Sequence, residues 1–134
     1  AIAKSLYVSI EEAQKLKFRS GFLQTPATLQ VFQAIVPLVT AVREEAEKYI
    51  NFWQTHSEEK ETPSKLWLAG GDSNLPGLAE YMEEELKIPA ALANPWVNIG
   101  FPKHYLPNLE RSDAVRFAAS IGLGLAALTA EETI

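Results

Sequence analysis

One stretch decides the fold: residues 66–78 read LWLAGGDSNLPGL. An apolar run leads directly into the pair Gly70 and Gly71, a pattern that predicts a short buried strand ending in a tight turn. In open α/β sheets ligands lie beyond the carboxyl ends of strands, and glycines let a flat ring or a ribose approach the backbone. A tight strand-to-helix turn also needs glycines, so the spacing alone leaves both interpretations open.

A helix is expected to begin soon after this turn. Pro76 suits a first helical turn, Ser73 or Asn74 can cap it, and the apolar residues that follow have helical spacing. Residues 90–93 then predict a weak second strand. Residues 94–110 contain three prolines and little periodicity, which predicts a loop.

Helical patterns dominate the first half of the chain. Ser9, with a glutamate three positions later, forms a capping box that begins a helix over residues 10–19. Gly21 is expected to end that helix. Apolar residues at intervals of three and four predict a long amphipathic helix over residues 29–53, which Pro37 should kink or split.

The remaining segments complete the pattern. Residues 1–8 have apolar positions at helical spacing without a start signal, and we interpret them as the tail of a helix. Residues 56–64 predict an exposed loop. Ser112 is expected to cap a last helix that reaches Thr129 and whose small side chains permit close packing. Because the chain starts at Ala1 without an initiator methionine, we expect it to be a piece of a longer protein.

Composition excludes several classes of function. The 134 residues are 47% hydrophobic, enough for the core of one domain, and they contain no cysteine for disulfides or thiolate chemistry. The net charge of -5 comes without a basic stripe, so nucleic acid is not an expected partner. No apolar run reaches the roughly 20 residues of a membrane span. His56 and His104 lack a second ligand at useful spacing, so no metal site is predicted. The serines lack a histidine and an acid partner at any recognisable spacing, so no catalytic residue is predicted either.

Helices and strands alternate as in an α/β protein whose strands are covered by helices. The apolar strand, the glycine pair, Ser73 and the sequence Leu-Pro-Gly-Leu together resemble the adenosine-contacting motif of the actin and sugar-kinase superfamily. The runs GLAEYMEEELKIPAALANPWVNI and AVRFAASIGLGLAAL resemble the type IV pilus assembly protein PilM family. The run AIAKSLYVSIEEAQKLKF resembles the segment of PilM, FtsA and MreB that follows the second phosphate-binding loop, so the resemblance covers nearly the full chain.

This resemblance implies a fold and a pair of ribose-facing residues. The fold is expected to be α/β, a fragment of subdomain II of the actin-like (ribonuclease H-like) fold with few strands covered by helices. Residues 1–27 would be a remnant of the small subdomain, and residues 28–134 would form the adenosine-side subdomain. The family's Glu-x-x-Lys pair, which faces ribose and adenine, corresponds to Gln14 and Lys17. The glutamine departs from that pattern because it keeps hydrogen-bonding capacity but carries no charge.

The implied cofactor is ATP with Mg²⁺, bound by the longer parent protein. Asp72 is a second departure, since a neutral residue more often follows the glycine pair, and it can accept a hydrogen bond from the sugar or stabilise the turn. Neither phosphate loop of the family lies in these residues, so hydrolysis by this chain alone is not expected. Slow hydrolysis by the parent stays open. The implied nucleotide contacts are Gly70, Gly71, Asp72, Ser73, Gln14 and Lys17.

The resemblance also implies a cellular role. The parent would be a cytoplasmic, actin-like ATP-binding component of the type IV pilus inner-membrane platform, peripheral to the membrane through its partners. Its partner would be the cytoplasmic tail of an inner-membrane pilus protein similar to PilN. Two alternatives stay open. One is a cell-division protein similar to FtsA, whose amphipathic membrane helix contrasts with the acidic ending TAEETI of this chain. The other is a scaffold whose nucleotide site has degenerated, with Gln14 and Asp72 as marks of the loss.

Overall fold

The structure is a computed structural model that describes residues 1–57, 62–97, 99–100, 105 and 108–131. It pairs two short strands in a parallel sheet, surrounded in sequence by helices. This arrangement confirms a mixed α/β chain, while the actin-like assignment stays a prediction. The elements are α1 (Ile2–Leu6), α2 (Ile10–Ser20), α3 (Leu29–His56), β1 (Leu66–Leu68), α4 (Leu78–Leu86), β2 (Ala90–Leu92), α5 (Arg111–Ala114), a 3₁₀ turn (Val115–Phe117) and α6 (Ala118–Glu131).

The chain divides into two compact units. Unit 1 comprises Ala1–Leu66 and Leu75–Ala91, and unit 2 comprises Trp67–Asn74 and Leu92–Ile134. The boundary between them falls inside each strand. The subdomain division at residues 27 and 28 stays a prediction.

The ends of α2 follow from local signals that the sequence displays. The Ser9 hydroxyl accepts a hydrogen bond from the Glu12 N–H at 3.1 Å, which confirms the predicted cap. At the other end, Gly21 adopts φ 56° and its N–H donates to the Lys17 carbonyl at 2.8 Å. The helix therefore ends at the predicted glycine, one residue later than the spacing alone suggested.

The core of unit 1 forms around α3. Phe22 is buried between two other aromatic rings, 4.7 Å from the Phe32 ring centroid and 4.5 Å from that of Tyr81. Pro37 does not split α3, because residues on both sides of it are anchored in the same core while the proline itself is exposed. The buried members of this core are Ile2, Ala13, Phe22, Val31, Ile35 and Val39.

The strand before the glycine pair is not buried as predicted. Its side chains alternate, and Trp67 is 56% exposed between two half-buried leucines. Successive side chains of a strand point to opposite faces of the sheet, so the two leucines share one face and Trp67 lies on the other, more exposed face. The second strand is confirmed at Ala90–Leu92.

Helix α4 begins later than predicted. Its N-cap is Gly77 in the left-handed conformation, without a capping side chain, so neither Ser73 nor Asn74 caps it. The delay has a cause outside the helix: the Pro76 carbonyl accepts a hydrogen bond from the Phe22 N–H at 2.6 Å. That bond holds the segment before α4 against the end of α2, and the helix starts only after it.

Two further boundaries are corrected. Helix α3 extends to His56, and the Ser57 N–H donates to the Trp53 carbonyl at 2.8 Å, so the predicted loop begins later. Residues 58–61 of that loop lie outside the described residues. Ser112 lies inside α5 and does not cap α6, because the turn before it begins at Glu110, whose carbonyl accepts the Ala114 N–H at 2.8 Å.

The last helix does not show the predicted close packing. Apart from the chain neighbours and the backbone of α6 itself, no described residue lies within 4 Å of a Cβ placed at Gly122 or Gly124. Leu123 is 73% exposed and Leu128 is 67% exposed, so these two side chains are largely uncovered by the described residues. Of the predicted loop over residues 94–110, the described positions contain turns but no helix or strand.

We expect Gly21→Ala to destabilise the protein strongly. An added Cβ would lie 2.5 Å from the Pro76 carbonyl oxygen and 2.6 Å from its nitrogen, on a backbone with φ +56°. Strain and overlap together should lower the free energy of unfolding by roughly 2 to 4 kcal/mol, measured by urea denaturation. The control is Gly100→Ala, where apart from the chain neighbours no described residue lies within 4 Å of the added Cβ, and the change in the free energy of unfolding should stay below about 0.5 kcal/mol. Similar losses in both variants would contradict this close approach.

Candidate functional site

The turn after β1 is closed around a single carbonyl. The Ser73 hydroxyl donates to the Gly70 carbonyl at 2.7 Å, and the Ser73 N–H reaches the same oxygen at 3.3 Å. On its other side, the Gly70 N–H donates to the Val115 carbonyl at 3.1 Å. Both backbone polar groups of Gly70 are therefore bonded within unit 2.

The two glycines of the pair differ in what the fold requires of them. Gly70 has φ +110°, a conformation that side chains strongly disfavour, so the turn itself explains this glycine. Gly71 does not have positive φ, and apart from its two chain neighbours no described residue lies within 4 Å of where its Cβ would be. It is also exposed. Neither backbone conformation nor packing within the described residues accounts for glycine at position 71, whereas a ligand resting on the backbone there would.

The other predicted residues of the turn have distinct surroundings. The Ser73 hydroxyl uses its hydrogen on the Gly70 carbonyl, so it can offer a ligand only its lone pairs. Asp72 is exposed between Gly71 and Ser73. Whether its carboxylate contacts a sugar stays a prediction.

The sequence did not indicate the role of Asn74 at this site. Its Nδ2 donates to the Ser112 carbonyl, and its Oδ1 is buried without a hydrogen-bond partner among the described residues. The two residues are 38 positions apart. Local patterns cannot show such a contact; the only available signal was an amide side chain next to a glycine turn.

The predicted ribose-facing pair lies on α2 in unit 1. Gln14 is exposed and Lys17 is half-buried, and their separation of three residues places them on one side of the helix. The Lys17 ammonium lies 5.2 Å from the centroid of the Phe18 ring. Because this pair belongs to unit 1 and the glycine turn to unit 2, their meeting across one cleft stays a prediction.

The described residues contain neither a metal-binding group nor a membrane-spanning helix. There, no group of three His, Cys, Asp or Glu side chains could hold a metal ion. The His56 ring stacks on Phe52 at 4.1 Å between centroids, while His104 lies outside the described residues. No helix in the same residues has the length and apolar character to cross a bilayer.

Fold and site together define a class of protein: a mixed α/β chain in which a strand leads to a glycine turn with one glycine open to a ligand. The family model described as type IV pilus assembly protein PilM matches residues 1–128. The chain belongs to the PilM family, which confirms the resemblance inferred from its motifs. A comparison with curated proteins gives no match.

The two glycines should respond oppositely to alanine. We expect Gly70→Ala to lower the free energy of unfolding by about 1 to 3 kcal/mol, because φ +110° is strained for any side chain. Gly71→Ala should be neutral or raise it by up to about 1 kcal/mol, because alanine restricts the unfolded chain. Urea denaturation of both variants measures the difference. A loss at Gly71 as large as that at Gly70 would give Gly71 a structural role and remove the argument for a ligand.

Proposed function

We propose that this PilM-family protein binds ATP during type IV pilus assembly, and that the turn at residues 70–73 contacts the adenosine. The observation that carries the proposal is Gly71, an exposed glycine with neither positive φ nor a close neighbour among the described residues. It directly follows a residue whose polar groups are both bonded inward. A base or ribose can therefore approach Gly71 without disturbing the turn.

The chemistry of the predicted contacts fits an adenosine. A flat base can lie on backbone that has no Cβ, and Gly71 lies beyond the carboxyl end of β1, where α/β sheets hold ligands. Gln14 can donate to or accept from a ribose hydroxyl, and Lys17 supplies a positive charge. Neither phosphate loop of the family lies in these residues, so the site proposed for this chain is limited to the adenosine.

The cellular part of the proposal is supported by the family match. The protein would work at the cytoplasmic face of the inner membrane, peripheral to it, and dock on the cytoplasmic tail of an inner-membrane pilus protein. The nucleotide would act there as a ligand that selects a conformation. The match to the PilM model favours this role over the cell-division role of a protein similar to FtsA.

The direct test is a calorimetric titration of Mg·ATP into the full-length natural protein. We expect saturable binding in the wild type and its loss in Gly71→Trp, because the indole would occupy the space of the base. The matched control is Gly100→Trp, since Gly100 is also exposed and, apart from its chain neighbours, no described residue lies within 4 Å of an added Cβ there; binding should persist in this variant.

Other outcomes of this titration have defined meanings. Absence of binding in the wild type would contradict the proposal and leave the scaffold alternative. Equal binding in the wild type and Gly71→Trp would show that nucleotide binds elsewhere.

Restoring the family's acidic residue should strengthen binding. Gln14→Glu replaces a neutral hydrogen-bonding group by a charged acceptor for the ribose hydroxyls, and charge-assisted hydrogen bonds are roughly twice as strong. We expect the Kd for Mg·ATP to fall by about fivefold. Gln24→Glu adds the same charge at another exposed position of unit 1 and should leave the Kd unchanged. Unchanged affinity in Gln14→Glu would remove position 14 from the site.

A further inference from the structure

The glycine turn is joined to a distant part of the chain by two hydrogen bonds. One runs from the Gly70 N–H to the Val115 carbonyl at 3.1 Å. The other runs from the Asn74 side-chain amide to the Ser112 carbonyl. These bonds lie on either side of Gly71, so both ends of the turn are fixed to residues 111–117, the segment made of α5 and the 3₁₀ turn.

The segment that receives these bonds is deeply buried in part. Ala114 and Val115 are both 0% exposed, and Val115 is the largest fully buried side chain among the described residues. The exposed Gly71 directly follows Gly70, and the Gly70 N–H donates the hydrogen bond to the carbonyl of the buried Val115. A ligand that restrains the turn would therefore also restrain, through this hydrogen bond, a buried residue of unit 2.

The orientation of the Asn74 amide is fixed by chemistry. A carbonyl oxygen can only accept, so the atom facing Ser112 must be Nδ2, and Oδ1 must face the other way. That oxygen is buried without a hydrogen-bond partner among the described residues, which is unfavourable. The Asn74 side chain therefore bonds to the Ser112 carbonyl with its buried amide, and it is not a solvent-exposed turn side chain.

We propose that Asn74 is a positioning residue that makes the glycine turn and residues 111–117 respond to nucleotide as one body. The inference rests on the proposed function, since the ligand is the nucleotide at Gly71. Nucleotide on the turn would restrain it, and the two hydrogen bonds would pass the restraint to α5 and the 3₁₀ turn. Because α6 begins at Ala118, directly after this segment, nucleotide occupancy would also stabilise the start of the last helix.

Hydrogen exchange of backbone amides tests this coupling in the full-length natural protein, with and without saturating Mg·ATP. In the wild type we expect nucleotide to slow exchange in residues 111–117. The informative variant is Asn74→Asp, which has nearly the same shape but cannot donate to the Ser112 carbonyl when ionised. Without nucleotide, exchange in residues 111–117 of this variant should be about fivefold faster.

The decisive quantity is the ratio of exchange rates without and with nucleotide. A merely structural role for Asn74 would speed exchange equally in both states and leave this ratio unchanged. A positioning role lowers the ratio, because without the Asn74 hydrogen bond the restraint that nucleotide places on the turn reaches residues 111–117 more weakly. Ser112→Ala is the control, since it removes the hydroxyl but keeps the carbonyl that Asn74 uses.

The outcomes separate this inference from the proposed function. No binding of Mg·ATP to the wild type would overturn both. Binding without slower exchange in residues 111–117 would overturn the inference alone. An unchanged ratio in Asn74→Asp, or an equal fall of the ratio in Ser112→Ala, would also remove Asn74 as the coupling residue while leaving nucleotide binding intact.

Discussion

The site depends on the backbone of one residue, Gly70. Its φ of +110° turns the chain so that its carbonyl meets both donors of Ser73 while its N–H meets the Val115 carbonyl. Only glycine adopts this conformation without strain. Once these groups are bonded inward, the next residue, Gly71, is left exposed. The two glycines therefore have different roles: Gly70 adopts the backbone conformation of the turn, and Gly71 is the exposed residue beside it that has no side chain.

The elements that could be predicted from the sequence are those whose stabilising contacts are local. The Ser9 cap and the Gly21 end of α2 involve partners three or four residues away, and the motif shows both partners side by side. The start of α3 at Leu29 follows from its apolar periodicity, and the buried residues on both sides of Pro37 explain why the proline does not split the helix. The turn at the glycine pair could be predicted for the same reason, because Ser73, which bonds to the Gly70 carbonyl, is only three residues away.

The features that could not be predicted depend on contacts between distant residues. The start of α4 is set by the bond from the Phe22 N–H to the Pro76 carbonyl, so no capping residue near the helix could reveal it. Asparagine favours the N-cap position, so the sequence predicts a cap at Asn74, but its amide instead bonds to the Ser112 carbonyl, 38 residues away. In both cases a hydrogen bond between residues far apart in sequence determines the local structure, and the helix-capping propensity of the nearby residues does not.

The ATP proposal and the scaffold alternative each leave one residue to be explained. A scaffold would have to account for Gly71, where alanine fits the backbone and the described surroundings, and where glycine costs about 0.4 to 1 kcal/mol through the greater freedom of the unfolded chain. The ATP proposal has to account for Gln14, which lacks the family's charge. Glutamine keeps both a donor and an acceptor for a ribose hydroxyl, so this loss weakens a contact without removing it. The open glycine is the harder feature to explain without a ligand, and it favours a site that still binds nucleotide.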